Sequence, residues 1–252
     1  MPIKTNRIES IDILRGVVMV LMALDHARGY FYYNAFLSDP TNLEDTTPFL
    51  FFTRFITHYC APVFVFLAGT SAFLYGSKKS KPELFKFLFT RGIWLVFLEL
   101  VVNNFIWFFD FNYTLINLQV IWAIGCSMIC LSFLIFLQKK ILLAVGILLI
   151  VGHNLLDNIQ MKGESFQSIL WYILKQKESI RIPDHLILFN YPIIPWIGLM
   201  ALGYLFGTFY QKGYEVSLRR KWLLSLGIGL VALFFILRYI NFYGDLHPWS
   251  TQ

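Results

Sequence analysis

The chain has 252 residues, of which 57% are hydrophobic, 18% aromatic and only 14% charged; no soluble core of this size needs such long apolar runs, so the composition indicates an integral membrane protein. Lys and Arg outnumber Asp and Glu by 21 to 15, a net charge of +6. That excess reads as basic cytoplasmic loops and not as a nucleic-acid surface, because no basic groove studded with aromatics is present.

The leading MPIKTNRIES is short and basic, but the stretch after it lacks an uninterrupted apolar core and a small-residue cleavage site. The first helix is therefore expected to stay in the chain and not to be removed as a signal peptide. Seven stretches have the length a bilayer needs, at 10–33, 49–75, 84–109, 116–137, 141–158, 190–210 and 222–243. The fold expected is all-α, a polytopic membrane bundle of about seven transmembrane helices. The fifth stretch is the weakest, since its apolar run from Ile141 to Val151 is short and meets Gly152, His153 and Asn154. Charge topology supports it. Lys4 and Arg7, then Lys78, Lys79 and Lys81, then Lys139 and Lys140, then Lys212, Arg219, Arg220 and Lys221 fall in alternate connections, which places those loops and the N-terminus in the cytoplasm. The complementary connections, such as 110–115 and the acidic 39–45, carry almost no Lys or Arg.

The long connection 152–189 is then external. Within it Phe166, Ile169, Leu170, Ile173 and Leu174 recur at helical spacing, predicting an interfacial amphipathic helix that either roofs an external pocket or lies on the headgroups. Cys60, Cys126 and Cys130 all fall in apolar segments, which argues against a disulfide framework. The i, i+4 spacing of Cys126 and Cys130 suits packing, and no metal site is expected.

Ionisable side chains at membrane depth are rare and usually functional, and the first stretch carries Asp12, Arg15, Asp25 and His26. Asp12, Arg15, Met19, Met22 and His26 form one stripe on a helix, with Arg15 and His26 about 16 Å apart along its axis. The topology places Asp25 and His26 of span one at the same outer depth as Arg54 and His58 of span two. Glu99, Asn103 and Asn104, then Asn117 and Gln119, then Asn190, Tyr191 and Trp196 lie at a comparable level. A smaller set, Asp12, Arg15, Thr70, Ser71 and Arg91, lies near the cytoplasmic face. Each has a plainer reading: Asp12 with Arg15 as a local ion pair, His26, His58 and Arg54 as interhelical hydrogen-bonding groups, and Asn103 and Asn104 as packing amides. Gly69, Thr70 and Ser71 read as a small-residue surface for close helix approach.

Three blocks, SIDILRGVVMVLMALDHARGYF, FFTRFITHYCAPVFVFLAGTSAFLYG and YPIIPWIGLMALGYLFG, resemble the bacterial branch of the heparan-alpha-glucosaminide N-acetyltransferase catalytic-domain family, within a wider transmembrane acyltransferase superfamily. The spacing of Arg15 and His26 is also similar to the arginine, ten residues, histidine signature of the related acyltransferase-three family, whose histidine is taken as catalytic. Human-type heparan acetyltransferases carry their catalytic histidine in the external segment before the second span, and this chain has none from Ala27 through Thr57. The resemblance thus leaves His26 and His58 as two alternatives for the catalytic residue. Relatives continue with further spans, so 1–252 is expected to be a single acyltransferase-like domain shortened at its C-terminal side.

What the resemblance implies is transfer of an acetyl or other acyl group from cytoplasmic acyl-CoA to a sugar or glycan acceptor at the external face of the bacterial inner membrane. Arg15 and Asp12 would serve the donor end, Asp25, Arg54, Asn103 and Asn104 the remaining binding contacts. Acyl-CoA, the acceptor and the lipid bilayer are the partners; self-association leaves no interface legible in the sequence. Two other classes remain open on the residues alone. Intramembrane His, Asp, Arg and Asn also build solute or proton transporters, although no internal repeat is evident, and a non-catalytic membrane partner is the third reading.

Overall fold

The computed structural model describes residues 8–32, 40–42, 46–241 and 243. Lys4, Arg7, Tyr33, most of the acidic 39–45 stretch and His247 lie outside them. The chain divides into two compact units, residues 1–68 and 69–252.

In the first unit, α1 (Glu9–Phe31) has Glu9 and Asp12 in its first turn and Arg28 in its last, the charge order that the helix dipole favours. It buries Ile11 and Val18. A spacing of seven keeps residues on one side of a helix, and a further seven reaches Asp25. α2 (Pro48–Thr57) starts with Thr47 Oγ1 accepting the Leu50 N–H at 3.3 Å and with proline at the first helical position. It packs on α1. A two-residue turn at His58 and Tyr59 separates it from α3 (Cys60–Gly76). Pro62 accounts for the break, because it has no N–H to give the His58 carbonyl and its ring crowds that carbonyl. Cys60 is buried, its thiol 3.7 Å from the Val18 carbonyl.

In the second unit, α4 (Lys81–Phe97) opens with a reciprocal capping box between Ser80 and Glu83. It runs into a π-helical turn, Leu98–Asn103, and then α5 (Asn104–Phe108). Strand β1 (Leu115–Leu118) leads into α6 (Val120–Leu134), followed by α7 (Lys139–Val151), α8 (Phe166–Leu174), β2 (Glu178–Ile182), β3 (His185–Phe189), α9 (Ile194–Phe206) and α10 (Val216–Ile240). α4 packs on α6 and α7 on α9, each pair meeting backbone to backbone at glycine. A Cβ on Gly92 would lie 2.7 Å from the Gly125 carbonyl oxygen, and one on Gly198 would lie 2.8 Å from that of Gly146. Small residues allow this approach where lipid offers no hydrophobic drive between helices. Gly69 acts in the same way against Met200, while Thr70 Oγ1 donates to the Gly203 carbonyl at 2.9 Å. The FLAGTSAF surface therefore does mediate close helix approach. α10 buries no residue.

Among the described residues three helical stretches are long and apolar enough to cross a membrane, Pro48–Gly76, Lys139–Leu156 and Val216–Ile240, with shorter apolar helices at Val120–Leu134 and Ile194–Tyr210. The stretch that looked weakest is among the three, because a 3₁₀ turn, Gly152–Leu156, extends α7. The all-α expectation needs correction. β1 pairs in parallel with β3, which pairs antiparallel with β2, giving a three-stranded sheet in the order β1-β3-β2. The first residues of the predicted fourth span, 116–118, are thus strand and not helix. The sheet has its own core of Leu118, Tyr172, Ile180 and Phe189. The amphipathic helix of the long connection forms as α8, with Ile169, Tyr172 and Ile173 against that core, while Phe166 and Leu170 are exposed. Its orientation is held at the amino end by Ser165 Oγ, which accepts the Ser168 N–H, and by Tyr172 Oη, which donates to the Gly163 carbonyl at 2.9 Å.

Candidate active site

In the first unit the polar residues converge on Asp25. Its Oδ1 accepts Thr57 Oγ1 at 2.7 Å and Arg54 Nη1 at 3.1 Å, both from α2, and pairs with Arg28 Nη2 one turn along α1. Asp25 and Arg54 are each 32% exposed by side chain and Arg28 12%; Thr57 is buried. Hydrogen bonds from a guanidinium to a carboxylate are charge-assisted and stronger than neutral ones. Arg28 and Thr57 were not singled out from the sequence. Their signal was there: Arg28 is three residues after Asp25 and Thr57 three after Arg54, spacings that put each beside its neighbour on a helix.

His26 and His58 flank this cluster in sequence, each next to one of its members. His26 Nδ1 lies 2.8 Å from the Met22 carbonyl and His58 Nδ1 2.9 Å from the Arg54 carbonyl. A carbonyl only accepts, so each Nδ1 carries the hydrogen, and in the neutral imidazole Nε2 then holds the lone pair. Both rings are exposed. At the other end of α1, Asp12 and Arg15 pair at 3.4 Å with both side chains exposed, a contact worth little by itself. The side of α1 that is buried is that of Ile11 and Val18, not the stripe of Asp12, Arg15, Met19, Met22 and His26; Asp12, Met19 and His26 are exposed.

In the second unit the amides form a network around Glu99, which is fully buried on the π-helical turn. Glu99 Oε1 accepts Asn103 Nδ2 and the Gln119 N–H, both at 3.1 Å. Gln119 is the N-cap residue of α6 and its own side chain makes no capping bond, so the Glu99 carboxyl takes up a donor that the helix start would leave unpaired. The π turn makes this possible. The Asn104 N–H reaches back five residues to the Glu99 carbonyl, and Asn104 Nδ2 donates to the same oxygen at 2.7 Å. Asn104 Oδ1 accepts the Asn117 N–H at 2.6 Å, and Asn190 Nδ2 donates to Asn117 Oδ1 at 2.7 Å. Asn117 is the third residue of β1 and Asn190 comes directly after β3, so the network ties the carboxyl ends of the two parallel strands to the π turn.

Asp110, in the turn after α5, shows how a carboxylate shapes a loop. It accepts Thr114 Oγ1 at 2.5 Å, the Thr114 N–H at 2.7 Å and the Asn112 N–H at 2.8 Å. These bonds, that of the Thr114 hydroxyl foremost, hold its acidity below the usual aspartate range.

The sequence model of the family described as Heparan-alpha-glucosaminide N-acetyltransferase, catalytic, matches residues 7–237. No curated protein and no solved structure matches the chain.

Proposed function

The chain belongs to the heparan-alpha-glucosaminide N-acetyltransferase catalytic family, and on that premise we propose that it transfers an acyl group from cytoplasmic acyl-CoA to a sugar or glycan acceptor on the outer side of a bacterial inner membrane. In this reading seven spans cross the bilayer with the N-terminus inside. The observation that carries it is the Asp25 cluster, an ion-paired carboxylate between two helices, with a histidine of the proton-accepting tautomer close to it in sequence on each side.

The chemistry is built from those parts. Acceptor nitrogen or oxygen attacks the thioester carbonyl carbon, a new C–N or C–O bond forms, and the C–S bond breaks. Nε2 of His26 takes the proton the acceptor loses and returns it to the departing thiolate, which leaves as the free thiol of coenzyme A. General base catalysis of this type contributes roughly 10²–10⁴-fold. The Arg54 guanidinium stabilises the oxyanion of the tetrahedral intermediate, whereas His58, with a lone pair on Nε2, is the alternative base. Adjacent residues on a helix point about 100° apart, so Asp25 serves by fixing α2 against α1 and not by orienting the His26 ring. Arg15, with Asp12, meets the phosphates of the donor toward the cytoplasmic end, a task for which a planar fork of donors is suited. Asn103 and Asn104 hydrogen-bond within the Glu99 network, which supports a part in holding the frame.

The test is acyl-CoA turnover by the purified chain in liposomes with a panel of amino and hydroxyl sugars, for wild type, His26→Ala and His58→Ala. Loss in the first variant alone supports the assignment. Loss in the second alone moves the base to His58, and a wild type that neither binds nor consumes acyl-CoA sinks the proposal.

A further inference from the structure

Among the described residues, charge does not balance around Asp25. Two guanidinium groups, Arg28 and Arg54, share one carboxylate, and the third donor on it, Thr57, is neutral. Among the described residues neither arginine has a second acidic partner. Arg28 Nη1 is buried without an acceptor among them, so no carbonyl takes up the surplus either. Among the described residues one positive charge is left over in a half-buried place where water screens poorly.

The geometry tells which arginine is compensated. Arg28 sits one turn from Asp25 on the same helix, almost covered, and is fixed there by its ion pair. Arg54 reaches across from α2, is one-third exposed, and bonds Asp25 through Nη1 alone. Asp25, for its part, is engaged among the described residues through Oδ1.

We infer that Arg54 is an oxyanion-binding residue, on which a carboxylate, sulfate or phosphate group docks, with Arg28 acting as the standing counter-charge of Asp25 that leaves Arg54 available. A guanidinium presents parallel donors matched to two oxygens of such a group. Membrane-embedded arginines without a full partner are costly unless something in their surroundings supplies the opposite charge. Two sources supply that chemistry: the acid group of a soluble ligand and the phosphate of a lipid headgroup. The inference goes beyond acyl transfer and does not require it.

The experiment uses the whole chain in dodecyl maltoside micelles, which contain no phosphate, and no acyl-CoA, so its outcome is separate from that of the turnover assay. The melting temperature is monitored as inorganic phosphate replaces chloride at constant ionic strength. Wild type is expected to show a saturable rise of about 3–5 °C. Arg54→Gln loses the phosphate-dependent rise, and Arg54→Lys keeps a smaller one with roughly tenfold weaker half-saturation, since a lysine offers charge without the fork. The increment, not the absolute melting point, is the readout, so a variant that is merely less stable does not mimic the result. Glucuronate against glucose, and phosphatidylglycerol added to the micelles, then separate the sources. A response to glucuronate but not to glucose assigns a soluble acid; abolition of the phosphate increment by phosphatidylglycerol assigns a headgroup. No saturable rise in wild type, or an equal rise in Arg54→Gln, overturns the inference; an Arg54-dependent phosphate response that neither glucuronate nor phosphatidylglycerol affects supports it and assigns a soluble phosphate.

Discussion

Two carboxylates organise the two units, and they do so in opposite ways. Asp25 is one-third exposed and surrounded by more positive charge than it neutralises. Glu99 is fully buried, and it accepts from a neutral amide and from a backbone N–H at a helix start. The first arrangement gathers more positive than negative charge, among the described residues, at a one-third-exposed carboxylate; the second holds the start of α6 to the π turn through Oε1 alone, with Oε2 buried and without a partner among the described residues. A site that receives something and a joint that fixes something differ in where their unspent polarity points.

That contrast is breakable by substitution. Glu99→Ala removes the acceptor of two part-buried donors and leaves a cavity, and a loss of about 2–4 kcal/mol is expected, read as a large drop in melting temperature in detergent. Asp25→Ala leaves two guanidinium groups facing each other; because Asp25 and Arg54 are one-third exposed, the expected loss is smaller, about 2 kcal/mol, while acyl turnover falls roughly 100-fold. A Glu99→Gln variant that folds but loses turnover as severely as Asp25→Asn would erase the distinction between joint and site. Gly92→Ala is the packing control: its Cβ meets the Gly125 carbonyl, and overpacking of this kind costs about 1–3 kcal/mol without a change in activity per folded molecule.

The smallest effect concerns pH and Asp110. Its carboxyl is more acidic folded than unfolded, so the stability it adds is fully present above the unfolded aspartate value of about 3.9 and is lost as pH falls through the lower folded value. Asp110→Asn should flatten that acid limb of the melting curve by lowering the neutral-pH melting temperature slightly while leaving the acid-pH value nearly unchanged. A variant whose acid limb is unaltered would show that the Thr114 contacts do not survive in solution.

Much of the helical content was legible because apolar length and basic loops are strong signals. The short α7 stretch needed the Lys139–Lys140 loop to be believed, and α8 was legible from the spacing of Phe166 through Leu174. Its buried side was not: Tyr172, and not Phe166, carries the core contact, because the surface it faces is a sheet that apolar periodicity did not announce. β1 is four residues long and its partner lies some seventy residues on, so nothing local marked it. The Pro183-Asp184 turn between ESIRI and HLILF was the available hint. In the site, depth alone put Asp25 at the level of Arg54, yet the i+3 partners Arg28 and Thr57 escaped because each looked like ordinary helix surface. The π turn at Glu99 was not legible at all, since an inserted residue changes register without changing composition.

The parallel pairing of β1 with β3 also sets an order in time. Leu115 must wait for Leu186, and at ribosomal rates of about 5–20 residues per second the interval is roughly 4–14 s. During it a four-residue strand stands next to the amino end of α6 with its edge open. The Glu99 and Asn104 bonds to Gln119 and Asn117 involve only residues already made by then, so they can hold the strand in register as a template until its partner is synthesised.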